Sequence, residues 1–495
     1  MRARLGVLVT AGAGAALVLA TVALPTAGGA GANGIAFTTP AELPSQVGTG
    51  GGLSGGEPSL SVDVVNNGVY AYVSAPEGVP AILGGILNGA PCSQGVAFWR
   101  SSDGGSSFSP GQCVGSGLGG GDDTTTVTPD HTLYLGDLEA VAAAICHSTD
   151  DGLTFSSPDG GGCTQLPSDQ TGPDDDRPWL TGGPQNQVYF TYHDLAFGIP
   201  LIERSDVGAK TFLPCGTLLA PGSAPMTNYS PLGGTLVADP AVDKAGDLYV
   251  EVSEPTNTQT LTNVVSIVTS LYMAVGKGGC QNGTVFKDST VYSNPGADLG
   301  NIFDADAVDG GGTVYVVAAG KKSASDKAYN VWLFASHDGG TTWTKPVKVN
   351  PPALTANVMP AIVGGPRAGQ VAVGWFGSST SATPDDTHDV WNYYVATSTS
   401  SGEAGTFQVV KVTPSPFHYG DICTEGVLCG MVPGGPSNRN LLDFDSLAVN
   451  PLTGCLIAAL PGDPYNTFAV QNAGKSTNSS SAYVARQTAG CFTRG

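Results

Sequence analysis

The stretch Ser336-His-Asp-Gly-Gly-Thr-Thr-Trp343 decides the reading of this chain, because the chain says it twice more. The other copies are Ser101-Ser-Asp-Gly-Gly-Ser-Ser-Phe108 and Ser148-Thr-Asp-Asp-Gly-Leu-Thr-Phe155. Each reads Ser-x-Asp-x-Gly-x-Ser/Thr-aromatic, and each follows a short apolar run: Val331-Trp-Leu-Phe334, Val96-Ala-Phe-Trp99 and Ala142-Ala-Ala-Ile145. The pattern predicts a self-contained turn between two strands. The Asp carboxylate accepts backbone N–H groups of the turn, the Gly supplies a positive φ, and the aromatic residue packs the turn onto the sheet. On this reading Asp103, Asp150 and Asp338 build turns and do no chemistry.

Outward from these turns a second unit recurs: an apolar strand, a turn with Gly, Asn or Asp, then a strand built around Tyr or Val. It begins with Leu60 to Tyr72, and returns around Thr126–Leu135, Trp179–Tyr192 and Pro240–Val252. Further copies are Ala307–Val317, Pro360–Val373 and Leu447–Ile457. Tyr70, Tyr134, Tyr189, Tyr249 and Tyr315 are spaced by 64, 55, 60 and 66 residues. Each unit runs on into a third strand and a turn ending in an aromatic residue. Besides the three full copies these are Arg204–Phe212 (a copy with one inserted residue), Leu271–Phe286, Asn392–Phe407 and Tyr483–Phe492. Seven such units predict an all-β fold, a six- or seven-bladed β-propeller of four-stranded antiparallel blades with seven favoured, over residues 56–495.

The repeated turn resembles the Asp-box, the bacterial neuraminidase repeat of sialidases and related propellers, and the likeness covers most of the chain. It implies a secreted sialidase-like propeller, a glycoside hydrolase of exo-sialidase type acting on extracellular glycans. Sialidases are six-bladed, so the seventh unit is either a departure or a lead-in hairpin. In such propellers the boxes lie at the bottom rim, and ligands meet the opposite face around the central channel. The family holds the substrate carboxylate with three arginines, and uses a Tyr nucleophile polarised by a Glu and an Asp as acid/base. A neutral Tyr avoids repulsion from an anionic substrate.

Residues just before the inner strands are expected at the channel mouth. They are Glu57, Asp122, Asp123, Asp174-Asp-Asp176, Asp239, Asp304, Asp306, Asp443 and Asp445, with Arg177 and Arg439 among them. The remaining arginines past residue 32 are Arg100, Arg204, Arg367, Arg486 and Arg494, away from the mouth on this reading. No Phe/Tyr-Arg-Ile-Pro element occurs. The catalytic candidates implied by the resemblance are therefore Asp176, Arg177, Tyr419 and Arg439. Tyr419 sits in Phe417-His-Tyr-Gly-Asp421 ahead of Glu425. Asp174, Asp175, Asp304 and Asp306 are the candidates for Ca²⁺, a hard cation that takes several oxygens. Most of these acids are better read as strand caps that tie neighbouring blades. A non-catalytic propeller that binds glycan or protein through the same face is the alternative function. In Asp176-Arg177-Pro178-Trp179, Pro178 is expected to fix the start of an inner strand and Trp179 to enter a blade-to-blade layer. Arg177 then serves either a ligand or a clamp.

The chain opens with Arg2 and Arg4, an apolar Leu5–Leu24 run and an Ala30-Gly31-Ala32 exit, which reads as a signal peptide over 1–32. The run is also long enough to stay as an uncleaved anchor. Residues 33–55 read as a flexible lead-in. The 10 Cys residues suggest disulfides of an exported protein. Cys92–Cys113 and Cys146–Cys163 would each bracket a repeated turn. Cys423–Cys429 and Cys455–Cys491 are further pairs, leaving Cys215 and Cys280. A net charge of −21 argues against nucleic acid or an anionic membrane as partner. A monomer acting on an extracellular glycan or glycoconjugate, with no membrane contact after signal cleavage, is expected.

Overall fold

The computed structural model describes residues 34–44, 55–76, 96–115, 121–139, 142–156, 163–165, 175–194, 199–219, 236–255, 267–300, 303–424, 438–476 and 480–494. These form seven antiparallel sheets of four or five strands, and chain order is strand order within blades one to six. The first strands of the blades include Ser59–Val65, Asp123–Val127, Asp175–Gly182 and Ala241–Val242. Blades five to seven begin with Ala305–Val308, Ala356–Gly364 and Ser446–Val449. Each of these strands touches the first strand of both neighbouring blades, so the seven close a ring around a central channel. The protein is a seven-bladed β-propeller, and the seventh unit is a true blade.

The core is divided among the blade interfaces. In the second strand of blade six, Val371–Ser378, Val371, Val373 and Trp375 face blade five, while Ala372 and Phe376 face blade seven. The same split divides Val314, Val316 and Ala318 from Tyr315 and Val317 in blade five. A strand alternates its side chains between two faces. Here both faces are covered by neighbours, which is why the strands read as continuous apolar runs.

Blade seven closes the ring. Its strands Leu456–Gly462 and Ser481–Ala489 are joined on the outside by Ala36–Phe37 and Ala41–Glu42 from the chain's beginning. Part of the segment read as a lead-in is therefore sheet, with Ile35, Phe37 and Leu43 buried. The sequence hid this because the strand's partners lie more than 400 residues away.

The Ser-x-Asp-x-Gly-x-Ser/Thr turns form as expected. Asp338 Oδ1 accepts the N–H groups of Thr341 (3.1 Å) and Thr342 (2.8 Å), and its Oδ2 accepts the Thr342 hydroxyl. Ser336 donates to Asp338 and accepts the Gly340 N–H at 2.9 Å. Asp103 and Asp150 make the same set with Ser107 and Thr154. Backbone geometry extends the motif beyond its residues. Two successive left-handed residues occur at the equivalent place in six blades: 104/105, 151/152, 208/209, 278/279, 339/340 and 401/402. In blade six Ser398 accepts the Gly402 N–H at 2.9 Å without any Asp. In blade three Asp206 pairs with Arg204 instead. These turns press on the preceding blade: a Cβ on Gly340 would lie 2.9 Å from Val275, and one on Gly152 would lie 3.0 Å from Phe98. They are blade-to-blade staples.

Cys146–Cys163 and Cys455–Cys491 pair as expected, and Cys215–Cys280 joins the outer strand of blade three to blade four. Cys113 and Cys423 are disulfide-bonded. Their expected partners, Cys92 and Cys429, lie outside the described residues. Among the described residues no helix is long and apolar enough to cross a membrane.

Candidate functional site

At the top of the inner strands the backbone takes an unusual step. Glu57, Arg177 and Met359 have φ of 50°, 58° and 54°, and each precedes a proline. The pairing register skips at this step in blades three and six, between Asp176 and Trp179 and between Val358 and Ala361. A left-handed conformation at a non-glycine residue costs about 1–3 kcal/mol. Pre-proline sterics add to the constraint. The strain turns residues at the mouth toward the axis.

Arg177 occupies the hub. Its Nη2 donates to Asp443 Oδ2 at 2.6 Å, Nε lies 3.6 Å from Asp122, and Nη1 lies 4.0 Å from Glu57. Its guanidinium stacks 4.1 Å from the centre of the Phe303 ring. Arg439 also holds Asp443, through both of its terminal nitrogens. Arg177 of blade three thus spans to blades one, two and seven. Burial raises the Glu57 carboxyl well above the usual range, and the nearby Asp122 adds to this against the pull of the two arginines.

Beside this hub lies a cavity of about 130 Å³, framed by the first strands of all seven blades. Trp179, Phe303 and Phe444 give it aromatic walls, with ring centres 4.8 Å apart for Trp179–Phe444 and 6.3 Å apart for Phe303–Phe444. Trp179 therefore faces the channel and is half-buried, not locked in a blade-to-blade layer as its position after Pro178 suggested. The polar lining joins the acids Asp239, Asp304, Asp306 and Asp445 to the hydroxyl residues Ser59, Thr125 and Ser446. Asp239 accepts the Thr181 hydroxyl at 2.7 Å, Asp445 accepts the Tyr393 hydroxyl at 2.7 Å, and Asp306 accepts the Glu251 N–H at 2.6 Å. Asp304 is 5% exposed, and neither carboxylate oxygen has a hydrogen-bond partner.

Crowding governs the protonation of this group. Burial raises Asp304, Asp306 and Asp445 well above the usual carboxylate range. Glu251 is raised by burial and then by the negative charges of Asp304 and Asp306. Asp239 is pushed up to about 7 by the protein packed around it, while channel water reaches its exposed side chain and the Thr181 hydroxyl favours its ionised form. Such a set can hold and release protons near neutrality.

The structure brings Arg177 and Arg439 together on Asp443, and Asp304 and Asp306 together on the cavity. Tyr419 sits elsewhere: its ring packs edge-on against Phe468 at 5.4 Å, and its carbonyl accepts the Gln471 side chain. The side chains of Asp175 and Asp176 are not described, and Asp174 and Glu425 lie outside the described residues. Among the described residues no three His, Cys, Asp or Glu side chains converge with the spacing of a metal site. Sequence reasoning missed Glu251, Phe303 and Phe444. A Glu inside the apolar run Leu248-Tyr-Val-Glu-Val252 was the available signal for the first; the two Phe residues carry none.

Beneath Tyr419 lies a second buried pair. His418 Nδ1 is 2.7 Å from Asp463, which also accepts the Asn440 side chain at 2.8 Å. This ties the end of blade six to the segment that carries Arg439.

No protein-family model and no curated protein matches the chain. Solved structures with a similar arrangement include a protein of unknown function from Dyadobacter fermentans DSM 18053, at TM-score 0.47 and 11% identity, covering 92% of this chain and 98% of that one. Another is a PL25 polysaccharide lyase, an ulvan lyase, at 0.47 and 10% over 84% and 93%. A third is the GH93 α-L-arabinofuranosidase of Fusarium graminearum, at 0.43 and 10% over 90% and 97%. No activity passes from these likenesses to this chain.

Proposed function

We propose that this is an exported, glycan-acting propeller of glycoside-hydrolase type that works at the channel cavity. The observation that carries the reading is Asp304. It is a buried carboxyl with two unpartnered oxygens, on a cavity whose aromatic walls suit the flat apolar face of a sugar ring. Glycoside hydrolysis uses two carboxyl groups of opposed protonation. Burial raises both Glu251 and Asp304 well above the usual carboxylate range, and the charge of Asp304 adds to the rise at Glu251, which suits this group to the proton-donor role.

The exo-sialidase form of this reading gives Arg177 and Arg439 the substrate carboxylate, Asp176 the acid/base role and Tyr419 the nucleophile. The contacts of Arg177 and Arg439 with Asp443 weigh against it, as does the packing of Tyr419 on Phe468. Those same contacts favour the second reading, a non-catalytic propeller that binds glycan or protein through this face.

A panel of fluorogenic glycosides, sialosides included, with and without Ca²⁺, tests the proposal. Turnover of at least one glycoside is expected, with kcat in Asp304→Asn lower by about a hundredfold or more. Activity should fall as the pH rises through the raised pKa of the proton donor. Binding on a glycan array without turnover anywhere on the panel would leave the non-catalytic reading standing.

A further inference from the structure

We propose that the channel cavity takes the protonated amine of a sugar-sized ligand, a 2-amino-2-deoxy sugar in its cationic form. The inference rests on the glycan reading for the sugar, and on the cavity alone for the charge.

Four carboxylates line the cavity, Glu251 stands behind them, and among the described residues no Lys, Arg or His lines it. Past residue 4, every Lys and Arg of the chain lies among the described residues, so none of the other loops around the ring brings a basic side chain to it. Arg177 and Arg439 are committed to Asp443. Donors of the protein reach Asp239, Asp306 and Asp445, whereas both oxygens of Asp304 have none. A buried carboxylate without a donor is costly, and it is relieved by a proton or by a cation.

The walls choose the kind of cation. Trp179 and Phe444 line the cavity side by side, and aromatic rings attract an ammonium group carried on carbon. Ca²⁺ needs six to eight oxygens, and no three acidic side chains among the described residues meet at metal spacing. The volume of about 130 Å³ is near that of a cavity that holds one benzene ring, which admits the amine-bearing edge of a sugar and not the whole ring with its substituents. Negative charge around the opening also disfavours an anionic sugar.

Isothermal titration of the full chain with glucosamine, N-acetylglucosamine, glucose, methylammonium chloride and CaCl₂ at neutral pH tests this. Glucosamine is expected to bind at least about tenfold more tightly than either neutral sugar, the factor that one partly buried ion pair supplies. Asp304→Asn should erase that preference, and Phe444→Leu should reduce it. Should Asp304→Asn fail to fold, competition of methylammonium against glucosamine on the wild-type protein reads the same selectivity. Methylammonium binding that depends on Asp304, with no sugar bound, keeps the cation site and removes the glycan reading. Equal affinity for glucose and glucosamine, a preference that survives in Asp304→Asn, displacement of the amine by stoichiometric Ca²⁺, or no binding by any probe would overturn the proposal.

Discussion

The serine that opens each repeated turn does two jobs, and Ser336 shows them best. Its hydroxyl is buried, donates to Asp338 and accepts the Gly340 N–H. Ser336→Ala leaves that buried N–H without its acceptor and should cost about 1–2 kcal/mol in denaturant unfolding. Asp338 itself is held well below the usual carboxylate range, mainly by the N–H and hydroxyl of Thr342. A depressed folded pKa stabilises above the unfolded value and is lost as pH falls through the folded one. The turn should therefore stay formed through mild acid and weaken only well below pH 4. Arg177 is the opposite case, a charge that stabilises by reaching far. Arg177→Ala takes one partner from the fully buried Asp443 and leaves Glu57 facing Asp122, so a loss of about 2–4 kcal/mol is expected. A thermal melt unchanged from wild type would show that Arg177 is no strut.

At the scale of elements, the blade ends are held by polar pairs inserted between apolar sheets. His418 and Asp463 are the most buried of these. Burial lowers the imidazole pKa, but the Asp463 charge and hydrogen bond, with the Asp421 carbonyl, outweigh it and the net shift is upward. A raised folded pKa stabilises fully below the unfolded value near 6.5 and is lost as pH rises through the folded one. Thermal stability should fall with rising pH above that range, and His418→Gln should flatten the dependence. A wild-type melting temperature that is level across that range would refute the charged pair.

For the whole molecule, ring closure is the decisive event. Phe37 is buried between blades six and seven, on a strand from the far end of the chain. Phe37→Ala should cost about 3–5 kcal/mol, as truncating a buried aromatic residue does. Removing residues 34–44 should cost far more, because the edge of blade seven is then left unpaired. A truncated chain that melts with wild-type cooperativity would mean that the ring closes without this strand. The Cys215–Cys280 link between blades three and four closes a loop of 65 residues and contributes about 4 kcal/mol in the chain-entropy account. Reduction should therefore loosen that pair of blades.

The sequence alone determined what local chemistry can write. The Ser-x-Asp-x-Gly turns, the two-sided apolar strands, a count of six or seven units with seven favoured, and the acidic residues ahead of the inner strands depend on neighbours a few positions apart. Two of the disulfides followed from spacing for the same reason. The tertiary structure decided what depends on distant segments meeting. Ala36–Phe37 finds its strand only when the ring closes. Trp179 faces the channel because a left-handed Arg177 shifts its register by a bulge. Arg177 becomes a hub because Asp443, Asp122 and Glu57 come from three other blades. The acids of the cavity were legible ahead of the inner strands, but its aromatic walls and its shape were not, since each of the seven blades supplies it with only one to four residues.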